Sequence, residues 1–345
     1  MTNFASTLVA WQRCHGRRDL PWQGTRDPYR IWLSEIMLQQ TQVAAVIPYY
    51  KRFLKSFPTL ETLAGADENE VLRLWSGLGY YARGRNLLWA SQKILSDHDG
   101  KFPHALEEIA ELPGIGRSTA AAIVAFAFGR RAAILDGNVK RVLARRFGIE
   151  GFPGERAVET RLWKLAESLV PKKHVVAYTQ GLMDLGATVC TKRQPRCGDC
   201  PLRRSCIARR QGRTHELPAP RPKKEIPVRQ ATWLVLLKSG EVLLERRPSS
   251  GLWGGLWTFP ETDEKDLAAY CRRALGYAIG ATRKLEPLEH GFTHFRLRVR
   301  PVLCEVGRIL PSAEAPGRLW IDIAEATQAA VPTPVRKLLL ALRTG

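Results

Sequence analysis

Four cysteines stand close enough together to hold a metal. Cys190, Cys197, Cys200 and Cys206 follow the pattern C-x6-C-x2-C-x5-C within seventeen residues, and four thiolates at such a spacing can converge on one centre. A cubane iron–sulfur cluster and a zinc ion both fit four thiolates. Structural zinc sites more often show two C-x2-C pairs, and this run has one, but the spacing alone leaves both metals open.

One carboxylate stands in a strongly apolar helical segment. Glu35 lies in the middle of residues 31–38, IWLSEIML. Burial would disfavour its charged form and raise its pKa, which would make Glu35 a candidate general acid near neutral pH. The alternative is that Glu35 lies on the one exposed stripe of the helix, and the sequence favours neither reading.

A second carboxylate, Asp136, precedes a helical pattern that begins at Val139. Aspartate before a helix is usually a cap, and the helix dipole would keep it ionised. A protonated carboxyl and a charged one together can cleave a glycosidic bond, since the acid assists the leaving group and the anion stabilises the sugar cation. Whether Glu35 and Asp136 meet is not visible in the sequence.

Residues 112–116, LPGIG, join two predicted helices within residues 109–128. Gly114 and Gly116 permit a tight turn that approaches a partner closely. The helix that starts near Ser118 and Thr119 would offer free backbone N–H groups to a phosphate. This arrangement is a helix-hairpin-helix, which binds the DNA backbone without reading sequence, although a Pro-Gly-x-Gly turn by itself is more often only a turn.

The elements that position these residues fall into two classes. Residues 1–208 read as helical almost throughout, residues 209–230 form a linker rich in proline and basic residues, and residues 231–345 combine strand and helix patterns. We therefore predict a multidomain protein, with a mostly α domain followed by an α+β domain.

The composition indicates a polyanionic partner. The chain has 345 residues, 53 Lys and Arg against 33 Asp and Glu, and a formal net charge of +20, which favours nucleic acid. The longest apolar run, residues 120–128, is far too short to span a membrane. We expect a soluble cytoplasmic protein, a monomer, without a disulfide framework.

These motifs together resemble the MutY family of adenine DNA glycosylases. The resemblance covers essentially the whole chain, and its motifs are specific. They are LPW at residues 20–22, WLSEIMLQQTQV at 32–43, GLGYYARGRNL at 77–87, LPGIGRSTA at 112–120, ILDGNVKRVLAR at 134–145, the cysteine run, and GLWGGLW at 251–257. The resemblance implies a helix-hairpin-helix glycosylase domain with a [4Fe–4S] cluster in residues 190–206, followed by a Nudix-like domain.

The resemblance also implies roles for residues. Glu35 would protonate the adenine, Asp136 would stabilise or capture the sugar cation, and Asn138 would position the water or sugar. The adenine would have to be extruded, because its glycosidic bond is not reachable inside the base stack. Gln40 and Tyr80 would then fill the duplex beside the extruded base. The implied substrate is adenine opposite 8-oxoguanine or guanine in duplex DNA. The further DNA contacts expected are Gln39, Leu112, Gly114, Gly116, Ser118 and Thr119.

In the Nudix-like domain, the resemblance implies 8-oxoguanine recognition by Phe292, Thr293 and His294, where the family carries Phe-Ser-His. The acidic pairs that a catalytic Nudix site needs for Mg²⁺ are absent from residues 268–276, so we expect binding without nucleotide hydrolysis. Related strand-cleaving enzymes have lysine where Ser118 stands. Serine cannot form a Schiff base, and we expect a monofunctional enzyme.

Three other functions compete with this one. The first is a glycosylase of the same fold that acts on oxidised pyrimidines or thymine. The second is a DNA-binding protein without catalysis, whose cluster only shapes a basic surface. The third is a Nudix hydrolase fused to a DNA-binding domain, which the missing acidic cluster disfavours.

Overall fold

The computed structural model describes residues 4–222, 225–292, 294–310, 313 and 315–344. Within them the chain forms two compact units, one of residues 4–65 and 86–222 and one of residues 66–85 and 225–344. The predicted division at residues 209–230 stays a prediction. None of the described helices is both long and apolar enough to cross a bilayer.

The first unit is helical, as predicted. Its α-helices are α1 (Phe4–His15), α2 (Pro28–Leu38), α3 (Val43–Ser56), α4 (Leu60–Ala64), most of α6 (Ala82–Asp97), α7 (Leu106–Ala110), α8 (Arg117–Phe128), α9 (Gly137–Phe147), α10 (Arg156–Leu169), α11 (Val175–Asp184) and α12 (Ile207–Arg210). A π-helix (Leu185–Val189) continues α11, and a 3₁₀ turn (Arg203–Ser205) precedes α12. A π-helical turn is rare and is found mostly at functional sites.

Helix α2 begins as its sequence requires. Asp27 is the N-cap and its Oδ1 accepts a hydrogen bond from the Tyr29 amide at 2.9 Å, while Pro28 occupies the first position. The helix packs against α3 and α8, and Trp32, Leu33 and Met37 are fully buried. Most of the helix surface is therefore in the core, which fixes the position of Glu35.

The second unit is built on a mixed sheet. Its strands are β1 (Val228–Lys238), β2 (Glu241–Arg246), β3 (Trp257–Thr258), β4 (Glu261–Thr262), β5 (Tyr277–Lys284), β6 (Leu288–Gly291), β7 (Arg296–Ile309) and β8 (Arg318–Asp322). The central order is β3-β2-β1-β7-β5. Strands β1 and β7 run parallel and the other described pairs are antiparallel.

Helices complete this unit. They are α5 (Glu68–Trp75), the first turn of α6, α13 (Leu267–Tyr270) with a π-helical turn (Cys271–Leu275), α14 (Ile323–Ala326) and α15 (Thr333–Thr344). Segment 66–85 joins the sheet-bearing part through the Ser76 hydroxyl, which donates to the Val331 carbonyl at 2.8 Å, and through Arg85, which donates to the Gly254 carbonyl. The α+β class predicted from the sequence is confirmed. The sequence pattern does not predict that the second unit includes residues 66–85.

Candidate active site and cysteine cluster

Glu35 lies on a wall between two cavities of the first unit. One cavity has a volume of about 670 Å³ and also contacts Gln180 and Met183, and the other has a volume of about 520 Å³. The side chain is half-buried. Burial raises the pKa of Glu35 to about 8, and the charge of Asp136 adds to the effect. Glu35 is thus mainly protonated at neutral pH, which an exposed glutamate would not be.

Asp136 lines the 520 Å³ cavity together with Glu35, so the structure brings the two carboxyls together. Asp136 caps α9, and its Oδ1 accepts a hydrogen bond from the Val139 amide at 2.7 Å. Burial raises the pKa of Asp136, although that amide and the charge of Arg141 oppose the shift. We expected the helix N-terminus to hold this carboxyl ionised, and that expectation stays a prediction. The upward direction of the pKa shift shows that desolvation outweighs the dipole and the hydrogen bonds, because the cap is also a cavity wall.

Asn138 is held by a residue that the sequence analysis missed. The Arg141 Nη2 donates to Asn138 Oδ1 at 2.8 Å and to the Gly186 carbonyl at 2.7 Å, and its Nε donates to the Cys190 carbonyl at 2.7 Å. One guanidinium thus ties the start of α9 to the π-helix and to the first cysteine. A signal was available: Arg141 follows Asn138 by three residues and lies on the same face of α9.

Gly186 makes this junction possible. A Cβ at that position would lie 2.6 Å from the Asn138 Cβ and 3.1 Å from its Cα. Real Cβ atoms do not approach so closely, and only glycine lets the π-helix pass so near to α9. Gly186 and Asn138 lie 48 positions apart in the chain, so no local sequence pattern predicts their contact.

The predicted hairpin lies beside the same cavity. Ser118 and Thr119, in the first turn of α8, line the 520 Å³ cavity together with Gln39 and Gln40. The Ser118 Oγ accepts a hydrogen bond from the Leu135 amide at 2.9 Å, immediately before Asp136 in the chain. The Gln39 Nε2 donates to Thr119 Oγ1 at 3.3 Å. Gln40 is exposed and has a φ of 55°, a rare conformation often found at functional sites.

The turn of the hairpin has the expected backbone. Leu112 is buried, Gly114 has a φ of 78°, and Gly116 is the N-cap of α8. A Cβ on Gly114 would lie 2.8 Å from the Asn86 Cβ, so both the conformation and the space require glycine. No side chain caps α8 within the described residues. Its first N–H groups therefore remain available for an anion.

The four cysteines line one small cavity of the first unit together with Arg145. The Arg145 Nη1 donates to the Cys190 Sγ at 3.4 Å and to the Thr191 carbonyl at 2.6 Å, while its Nε donates to the Leu217 carbonyl at 2.8 Å. Among the described residues, no three histidine, cysteine or carboxylate side chains come together tightly enough to share one metal ion. All four cysteines are free of disulfides.

Two other groups of predicted residues belong to the second unit. Tyr80 is exposed and has a φ of 50°. Phe292 stacks on Phe295 with ring centroids 4.6 Å apart, and it also contacts Trp253 and His290, with centroids 5.5 and 4.7 Å away. His294 is exposed, and Thr293 lies outside the described residues. The sequence analysis did not single out Trp253 or His290, which join this aromatic cluster from distant parts of the chain.

Comparison with protein families gives two matches in chain order. Residues 33–168 match the HhH-GPD superfamily of base excision DNA repair proteins. Residues 232–341 match the NUDIX domain. The first match contains Glu35, the hairpin and Asp136, and the second contains the aromatic cluster around Phe292.

Two relatives carry the same name. The chain is 36% identical over 338 residues to the adenine DNA glycosylase of Buchnera aphidicola subsp. Acyrthosiphon pisum, a match that covers 97% of this chain and 96% of the relative. It is 34% identical to the adenine DNA glycosylase of Homo sapiens, with 98% of this chain and 73% of the human protein covered.

Among solved structures, a thermostable thymine-DNA glycosylase aligns with a TM-score of 0.55 and 33% identity, covering 60% of this chain and 95% of that one. An endonuclease III in complex with DNA aligns with a TM-score of 0.52 and 22% identity, covering 60% of this chain and 94% of that one. The second likeness shows the fold alone. Both support the helical glycosylase fold of the first unit.

Proposed function

Since this chain belongs to the MutY family of adenine DNA glycosylases, we propose that it hydrolyses the N-glycosidic bond of adenine mispaired with 8-oxoguanine or guanine in duplex DNA. The observation that carries the proposal is Glu35, a carboxyl that burial keeps protonated at neutral pH on a wall between two cavities. A proton held there is available to a leaving base.

The adenine would be extruded from the duplex into the 670 Å³ cavity, which is roomy enough for a purine and offers the amide of Gln180 beside Glu35. Glu35 would protonate a ring nitrogen of the base as the bond between the sugar C1′ and the adenine nitrogen breaks. The bonding electrons leave with adenine, and Glu35 becomes a carboxylate.

The sugar cation would then lie in the 520 Å³ cavity against Asp136, whose charge stabilises it. Water adds to C1′ and gives its proton to the Glu35 carboxylate, which restores the starting state. Asn138, held by Arg141, would position that water or the sugar.

The reaction would stop at the abasic sugar. Ser118 offers a hydroxyl, already engaged by the Leu135 amide, and a hydroxyl forms no Schiff base with the opened sugar. We therefore propose a monofunctional glycosylase.

DNA would bind along the hairpin. The uncapped start of α8 holds a phosphate through backbone N–H groups near Gly116 and Ser118. The net charge of +20 supplies attraction that does not depend on sequence. Other residues would shape the turn or contact the opened duplex, namely Gln39, Gln40, Tyr80, Leu112, Gly114 and Thr119. We propose that the enzyme acts as a monomer.

The four cysteines surround one small cavity, and four thiolates at this spacing can hold a [4Fe–4S] cluster. Cys190, Cys197, Cys200 and Cys206 would ligate the cluster, which would fix the basic loop and, through Arg141, the start of α9.

The second unit would recognise 8-oxoguanine. Phe292 lies in an aromatic cluster at the end of β6, next to the exposed His294, and aromatic faces can stack on a base. Thr293 would supply the hydroxyl that serine supplies elsewhere in the family.

The decisive experiment is base release from a labelled duplex with one adenine opposite 8-oxoguanine, with half of each sample treated with hot piperidine. Breaks that appear only after treatment are expected. Breaks without treatment would refute the monofunctional proposal, and no breaks in either half would refute the substrate.

A further inference from the structure

Helix α10 carries a stripe of three residues that the proposed reaction does not use. Glu159, Trp163 and Glu167 follow one another at intervals of four, so they lie on one face of the helix. Glu159 and Trp163 are half-buried and Glu167 is exposed. The face therefore presents two carboxylates on either side of an indole.

Each carboxylate holds a cation at the start of another helix. Arg117, the first residue of α8, lies over the Trp163 ring at 4.1 Å from the centroid and forms an ion pair with Glu167. The Lys140 Nζ, in the first turn of α9, lies 2.6 Å from Glu159 Oε1. Both helix starts border the cavity of Glu35 and Asp136.

The placement of these two cations is unfavourable for the helices themselves. A positive side chain at a helix N-terminus opposes the macrodipole, so the charges of Arg117 and Lys140 gain nothing from the dipoles of α8 and α9. Their charge suits an anion that approaches the same helix starts, and the α10 carboxylates neutralise it when no anion is there.

We propose that Glu159 and Glu167 are restraining carboxylates, which DNA phosphates must displace before Arg117 and Lys140 can contact the backbone. The inference rests on the proposed function, in which the start of α8 receives a phosphate. Because backbone contacts carry no sequence information, the restraint lowers affinity for any duplex, matched or mispaired, by the same factor.

The test is binding of the full-length protein to a fully matched labelled duplex, which is not a substrate, across a range of salt concentrations. Glu167→Gln should bind roughly two- to fivefold tighter than wild type at low salt, as expected for release from an exposed ion pair. The dependence of log Kd on log salt should stay within about 0.9 of the wild-type slope, because Arg117 contacts the same phosphate in both proteins once Glu167 is displaced. Glu159→Gln should shift in the same direction.

Glu108→Gln is the matched control, because it removes one exposed carboxylate from α7 and changes the net charge equally. Tightening of the same size in this control would overturn the proposal in favour of a general charge effect. Unchanged binding by Glu167→Gln would also overturn it, and so would weaker binding, which would mean that Glu167 orients Arg117 for DNA.

A double-mutant cycle assigns the effect to Arg117. In an Arg117→Gln background, Glu167→Gln should bring no further tightening, and a tightening that persists would overturn the assignment. Failure of the proposed function is distinguishable, since it would leave wild-type protein unable to bind the duplex or to release adenine from a mispair.

Discussion

The two compact units place glutamate in opposite surroundings. In the first unit, Glu35 lines a cavity whose other carboxyl is Asp136, and its pKa rises to about 8. In the second unit, Glu245 accepts from the Arg318 Nε at 2.8 Å and Glu261 from the Arg247 Nη2 at 2.9 Å. A carboxyl beside another carboxyl in a desolvated cavity holds a proton ready for transfer, whereas one beside an arginine fastens strands and loops. Environment, not residue type, separates the proposed catalytic unit from the proposed binding unit.

Replacing Glu35 is the most direct test of the difference between the glutamates of the two units. Glu35→Gln keeps the shape but removes the transferable proton, and base release should fall about 10²- to 10⁴-fold, while mispair binding stays close to wild type. The measurement is single-turnover release of adenine. Glu261→Gln, in the second unit, is the control and should stay within about twofold of wild type. Comparable losses in both variants would mean that Glu35 is not the acid.

Enlarging Gly186 tests the junction that holds Asn138. The new Cβ of Gly186→Ala would lie 2.6 Å from the Asn138 Cβ, so one of the two must move, and a displacement of this kind costs up to about 100-fold in rate. We expect a ten- to hundredfold slower base release with duplex binding preserved. Gly65→Ala, whose Cβ would be 3.6 Å from its nearest neighbour, should be silent. A fully active Gly186→Ala would show that the position of Asn138 does not matter.

The alkaline limb of the pH profile reports the protonation of Glu35. The acid form is required, and above its pKa of about 8 the protonated fraction falls tenfold for each pH unit. Single-turnover base release should therefore be flat from neutral pH to near 8 and decline with a slope of −1 beyond it. A profile that keeps rising through pH 9 would contradict a buried general acid.

The second unit should show no chemistry of its own. Its Glu261 and Glu264 are occupied by Arg247 and Arg273, which leaves these carboxylates poorly placed to bind Mg²⁺. Incubation of the protein with Mg²⁺ and nucleoside triphosphates should release no pyrophosphate or phosphate above the blank. Release that Glu261→Gln abolishes would make this unit an enzyme and end the contrast between the units.

Local signals made much of the fold predictable. The Asp27-Pro28 helix start, the glycine turn at Gly114 and the alternating burial along strand β7 each depend on residues close in the chain, and each is present in the structure. The contacts that build the site were harder to predict from the sequence. Arg141 reaches Gly186 and Cys190 across 45 and 49 positions, and such contacts leave no periodic pattern.

For the two carboxyls as well, the sequence predicted some properties and not others. The apolar surroundings of Glu35 permitted either a buried or an exposed side chain, and only the packing of α2 against α3 and α8 decides between them. For Asp136 the capping role was predictable, but the direction of its pKa was not, because a cap signal carries no information on desolvation.

The discontinuity of the second unit has a consequence for the nascent chain. Segment 66–85 is synthesised before residues 86–223, and at 5–20 residues per second the residues that it contacts follow on the order of ten seconds later. Until then the Ser76 hydroxyl has no Val331 carbonyl to meet, and Arg85 has no Gly254. Synthesis of this protein therefore completes the first unit before the second, and termination before the last strands leaves segment 66–85 without the Gly254 and Val331 carbonyls that it contacts.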